Sequence, residues 1–135
     1  MRVLLADDHV IVREGLKKLL DGEPDITVVG EAADGIEALE KAKALRPDIV
    51  LLDITMPRLS GLEAVPLIKE ALSNVKIVVL SMHKREAYVH QVFSSGALGY
   101  VLKASSSDEI LEAVRTVFRG EYFLSSKIRS DVINV

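Results

Sequence analysis

At 135 residues the chain suits one compact domain with a single substantial core and is short for two. About half of it is hydrophobic (49%), which excludes a disordered chain. The apolar runs are too short to span a bilayer, and the lack of cysteine excludes a disulfide framework or a thiolate zinc site. A net charge of −3 gives no basic footprint for nucleic acid, and residues 1–6 lack the apolar core and cleavage site of a signal peptide. A cytoplasmic location is the expectation.

In chain order, short β-branched runs predict strands over Val3–Ala6, Ile26–Glu31, Ile49–Leu52, Ile77–Leu80 and Gly99–Leu102. Several are apolar without alternation, as expected for parallel strands covered on both faces. Helical spacing fills the intervals. Val12, Leu16, Leu19 and Leu20 form one stripe, ended by Asp21-Gly22 and Pro24. Ile36, Leu39, Ala42 and Leu45 form a second, stopped before Pro47. A third runs from about Gly61 to Leu72, a fourth over about Glu86–Ser95, and a fifth over about Ser107–Arg119, with Ser106-Ser107-Asp108-Glu109 supplying an N-cap and an acidic first turn. Alternation of five strands with five helices predicts an α/β fold of (βα)5 type, a flavodoxin-like doubly wound parallel sheet in the order 2-1-3-4-5. Residues 1–120 make the domain, and 121–135 read as the start of a linker toward a further C-terminal domain.

Ligands of an open parallel sheet gather at the carboxyl ends of its strands. Those ends carry Asp7-Asp8, Asp53, Ser81 and Lys103. In the 2-1-3-4-5 order the first and third strands are neighbours, so three carboxylates converge. Such a cluster is relieved by a hard cation with oxygen ligands, and Mg2+ suits because it keeps waters and pairs with phosphate. Lys103 adds a point charge and Ser81 a hydroxyl donor, which completes the set phosphoryl transfer requires.

Asp7-Asp8, the run Asp53-Ile54-Thr55-Met56-Pro57 with Gly61, Ser81, and Tyr100-Val101-Leu102-Lys103 together resemble the receiver domain of two-component response regulators. Leu4–His9, Ala97–Lys103 and Phe118–Glu121 resemble most the subfamily joined to a LuxR/NarL-type helix-turn-helix. The resemblance covers about the first 120 residues. It implies a phospho-acceptor rather than an enzyme with a separate substrate. Asp53 would take a phosphoryl group from a sensor histidine kinase. Asp8, Asp53 and the Thr55 carbonyl would bind Mg2+ directly, with Asp7 acting through water. Ser81 and Lys103 would hold the phosphoryl group, and Ser81 moving toward it would let Tyr100 turn inward. Thr55 and His83 would tune access of water to the aspartyl phosphate. A homodimer on phosphorylation is implied, with DNA contacted only through the further domain.

Three features stand apart. His9 invites a metal-ligand reading, but magnesium prefers oxygen and a loop histidine is expected. Ala104 follows Lys103 where many receivers have a cis proline; a cis bond before alanine would cost about 3 kcal/mol. Pro66 falls inside the third helix, where a kink or a lost hydrogen bond is expected. A free-standing receiver, or one signalling by contact without phosphorylation, is the alternative. An aspartyl-phosphate hydrolase fits poorly, because Asp53-Ile54-Thr55 lacks the second aspartate of an Asp-x-Asp pair and no insertion forms a cap.

Overall fold

The computed structural model describes residues 1–82 and 86–128. Within them, β1 (Arg2–Ala6), α1 (Val10–Asp21), β2 (Thr27–Ala32), α2 (Gly35–Leu45) and β3 (Ile49–Asp53) are followed by α3 (Gly61–Ala71), β4 (Lys76–Ser81), α4 (Glu86–Ser94), β5 (Gly99–Leu102), α5 (Ser107–Phe118) and β6 (Phe123–Leu124). The strands form one sheet in the order β2-β1-β3-β4-β5-β6, with parallel pairing throughout. This is the flavodoxin-like order expected, extended by a sixth strand at the β5 edge. No helix of the described residues is long and apolar enough to cross a membrane.

The central strand explains the two-sided core. Every residue of β3 is buried; Val50 and Leu52 face one apolar cluster while Ile49 and Leu51 face the other. The first cluster is closed by α2, α3 and α4 through Ala38, Ala42, Val65, Ile68, Val89 and Val92. The second is closed by α1 and α5 through Leu16, Leu20, Ile110, Val114 and Val117. Both clusters stop at the carboxyl ends of the strands, where polar groups take over.

Two predicted helix faces are rotated in the structure. Val12 does not join Leu16 and Leu20 in the core, because the first turn of α1 overhangs the end of the sheet and leaves Val10, Ile11 and Val12 exposed. On α2 the small residues Gly35, Ala38 and Ala42 are buried, and Ile36 points outward. α3 runs through Pro66 as one helix. Proline removes one donor there, but it sits on the exposed side, where the Leu62 carbonyl can turn to water. Its start is secured by a capping box: the Ser60 hydroxyl accepts from the Glu63 N–H at 3.1 Å, while the Glu63 carboxylate accepts from the Ser60 N–H at 3.2 Å.

Gly61 sits where the loop after Asp53 folds back on its own strand. Its N–H donates to the Ile54 carbonyl at 2.9 Å. A Cβ at that position would lie 2.0 Å from the Asp53 carbonyl oxygen, inside any allowed contact. Gly61→Ala should therefore lower stability by about 1–3 kcal/mol, as overpacking does. Urea unfolding checks this; an unshifted midpoint would show that the loop yields freely.

Candidate functional site

The topology delivers four polar side chains to one edge. β1 and β3 pair with Ala6 beside Leu52, so Asp7 and Asp53 emerge side by side. β4 lies next to β3, and β5 next to β4 with Ser81 beside Leu102, which brings Ser81 and Lys103 to the same rim. Asp7, Asp53 and Ser81 are all buried, unusual for polar groups unless each is matched.

Lys103 supplies the match. Its Nζ donates to Asp53 Oδ2 at 3.1 Å and lies 3.2 Å from Asp7 Oδ2. The Thr55 N–H donates to the other Asp53 oxygen at 3.3 Å, and Arg13 braces the β1 end by donating to the Asp7 carbonyl at 2.6 Å. His9 is more engaged than its loop position suggested. Its N–H donates to Asp7 Oδ1 at 2.8 Å, and its Nδ1 lies 3.2 Å from that atom and 3.3 Å from Asp8 Oδ1.

One ammonium among three carboxylates leaves negative charge over. Asp7 Oδ2 and Asp8 Oδ1 are buried without a hydrogen-bond partner, although Lys103 and His9 stand at ion-pair distance. Ligand atoms of Asp7, Asp8, His9 and Asp53 all lie within 4.8 Å of one another. Buried carboxylate oxygens lacking donors fit a hard cation better than further hydrogen bonds.

The titration behaviour of the site follows from the same geometry. Burial pushes the Asp53 carboxyl above its ordinary range, and the neighbouring Asp7 charge adds to this, outweighing the Lys103 hydrogen bond. For Lys103 burial pulls downward, but the hydrogen bond and charge of Asp53, joined by Asp7, hold the ammonium above its usual value. Tyr100 is buried in the α2–α4 core cluster. Burial pushes its phenol up, with a hydrogen bond from Ser81 acting in the opposite sense.

A family model for the response regulator receiver domain matches residues 3–115. The chain belongs to this family. It is 42% identical over 135 residues to the oxygen regulatory protein NreC of Staphylococcus epidermidis, covering 99% of this chain and 62% of that protein. The receiver thus spans less than two thirds of that relative. A LuxR-family two-component response regulator from Aurantimonas sp. SI85-9A1 superposes with a TM-score of 0.94 at 36% identity, covering 98% of this chain and 95% of that one. A Borrelia burgdorferi CheX-CheY complex with BeF3 and magnesium matches at a TM-score of 0.83 and 32% identity, over 87% of this receiver and 89% of that chain.

Of the residues singled out from sequence, the receiver brings Asp7, Asp8, Asp53, Ser81 and Lys103 to one rim and sets Thr55 just beyond Asp53. His83 lies outside the described residues. Among the described residues no peptide bond is cis, so the Lys103–Ala104 bond is trans. Tyr100 differs from the expectation: its ring already fills an inward position, because the apolar cluster closed by α2, α3 and α4 accommodates it. Sequence reasoning missed Arg13, and also Arg58, which pairs with the α2 cap Asp34 at 3.1 Å from a left-handed backbone. Both are charged loop or helix-start residues whose partners lie 6 and 24 positions away, so spacing alone carried no signal.

The raised Asp53 pKa yields a stability prediction. An acid whose pKa is higher folded than unfolded takes up protons on folding, so its ionisation costs stability as pH rises through the shifted value. In the presence of a chelator, Asp53→Asn should melt above the wild type at pH 7, with the gap closing toward pH 4. A less stable variant at pH 7 would mean that the Lys103 ion pair outweighs burial.

Proposed function

We propose that this receiver accepts a phosphoryl group on Asp53 from a sensor histidine kinase. The observation that carries the reading is Lys103 held 3.1 Å from Asp53 and 3.2 Å from Asp7, beside carboxylate oxygens that lack hydrogen-bond donors. An Asp53 oxygen attacks phosphorus while the bond to the kinase imidazole nitrogen breaks, and that nitrogen keeps the electron pair. Lys103 and Ser81 then hold the phosphoryl oxygens as charge spreads onto them. Asp8, Asp53 and the Thr55 carbonyl would hold Mg2+, with Asp7 acting through water. The ion would neutralise the phosphoryl oxygens and the carboxylate cluster.

The response runs through Ser81 and the buried Tyr100. A phosphoryl group drawing Ser81 toward Asp53 changes the surroundings of the buried Tyr100, so the face of α4, β5 and α5 repacks. Thr55, two positions after Asp53, and His83, two positions after Ser81 in the sequence, set how readily water reaches the aspartyl phosphate. Repacking of that face favours a homodimer. DNA is contacted by a further domain of the longer regulator, consistent with the net charge of −3 on this one. Regulation of transcription in the cytoplasm is the corresponding role.

With Mg2+ and a small phosphodonor, the wild type should gain one phosphoryl mass and Asp53→Asn none. Lys103→Ala should react about 10²-fold more slowly, the loss expected for one charge-stabilising donor. Labelling that persists in Asp53→Asn would move the acceptor elsewhere. A chain that stays unlabelled would favour signalling by contact alone. Separately, Mg2+ at a hundred times its Kd should stabilise the wild type by about 2.7 kcal/mol. Asp8→Ala should lose most of that gain in thermal melts, and an equal shift in both would place the ion elsewhere.

A further inference from the structure

Residues past α5 do more than lead away from the domain. β6 adds to the β5 edge, with Gly99 beside Phe123 and Tyr100 beside Leu124. The Ser125 N–H continues this by donating to the Tyr100 carbonyl at 3.0 Å. The next backbone donor of β5, the Leu102 N–H, is met by a side chain instead: the Ser125 hydroxyl accepts it at 3.1 Å. That hydroxyl also shares a hydrogen bond with Ser105 at 2.9 Å and is completely buried.

Leu102 is the residue before Lys103. On the β4 side the Lys103 N–H donates to the Ser81 carbonyl at 2.9 Å, and the Ser105 N–H closes the turn onto the Leu102 carbonyl at 3.0 Å. Ser125 therefore grips the outer side of the short turn from which Lys103 reaches Asp53 and Asp7. The residues that follow stay close. Ser126 donates its N–H to the Glu109 carboxylate at 2.9 Å. Lys127 lines a cavity of about 450 Å³ together with Ser81, Met82 and Lys103, and Ile128 is buried in the same apolar cluster as Tyr100.

We propose that Ser125 is a positioning residue for Lys103, and that through it the docking of residues 123–128 and the phosphorylation of Asp53 are coupled. The proposal rests on Asp53 being the phospho-acceptor. The hydroxyl fixes the backbone on which the lysine ammonium is carried, so its loss lets Lys103 wander from the line between the two carboxylates. Coupling is reciprocal. A docked segment 123–128 favours Lys103 in place for the phosphoryl oxygens, and a phosphoryl group that holds Lys103 favours the docked segment. Residues 123–128 thereby report the state of Asp53 from the β5 side.

The test follows phosphorylation of the 135-residue chain by a small phosphodonor across a Mg2+ titration. Ser125→Ala should lower the maximal rate roughly tenfold, below the roughly 10²-fold cost of displacing a reacting group by a full ångström. The Mg2+ concentration for half-maximal rate should not rise, because a lysine withdrawn from Asp7 and Asp53 leaves those acids no poorer for the cation. Ser125→Thr, which keeps the hydroxyl, should restore the rate. Ser105→Ala, which removes only the second hydrogen bond, should show a smaller loss of the same kind and serves if Ser125→Ala does not fold. Amide hydrogen exchange across 121–128 should slow about fivefold on phosphorylation of the wild type, within the usual range of coupling. A normal rate in Ser125→Ala, a joint loss of rate and Mg2+ response, or exchange indifferent to phosphorylation would each overturn the proposal while leaving Asp53 as acceptor. A wild type that gains no phosphoryl mass would overturn the underlying reading instead.

Discussion

One ammonium group shared between two buried carboxylates governs the rim of this sheet. Asp7 and Asp53 are side by side because β1 and β3 are neighbours, and burying two like charges is costly unless a cation stands between them. Lys103 stands there, carried in from β5 on the far side of β4. The parallel sheet therefore sets more than proximity: its register brings the anions to one depth and the cation to the same depth. The balance is incomplete, since buried oxygens of Asp7 and Asp8 still lack hydrogen bonds. A site built this way has room for one more positive charge and holds Asp53 above its ordinary pKa until that charge arrives.

The same arrangement links chemistry to shape. Ser81 shares the rim with the acids, Tyr100 is buried in the neighbouring core, and the lysine that contacts the acids hangs on a turn gripped by Ser125. The Ser125 connection is a short chain of hydrogen bonds around a fully buried hydroxyl, where losing one partner is felt by the other. The helices on the two faces are held by separate apolar clusters, so a change at the rim can shift α4 and the β5 edge without disturbing α1 and the opposite core.

Much of this was legible in the sequence because it depends on period and position. Unbroken apolar runs ending in acid, serine or lysine told both the parallel sheet and the residues at its edge. What escaped depends on three-dimensional neighbours. Val12 shares the spacing of Leu16 and Leu20, yet the helix start projects past the sheet. Ser60 and Glu63 form a capping box whose spacing was readable, though only the folded loop shows that it anchors the turn after Asp53. Ser125 and Ile128 carry no periodic signal, since a two-residue strand and one turn are too short for one. Their burial is set by the open edge of β5. Arg13 contacts the backbone of Asp7 and Arg58 the cap Asp34, not the side chains of the motif, so nothing in the motif pointed to them.

In the proposed function Lys103 is the group through which the acid cluster, the phosphoryl group and the β5 edge meet. Nitrogen-detected NMR of the lysine ammonium groups tests it most directly. A slowly exchanging Lys103 Nζ signal is expected in the free chain, shifting on phosphorylation and returning as the phosphate is lost. A Lys103 signal that exchanges like an exposed lysine, or one that is unmoved by phosphorylation, would contradict it.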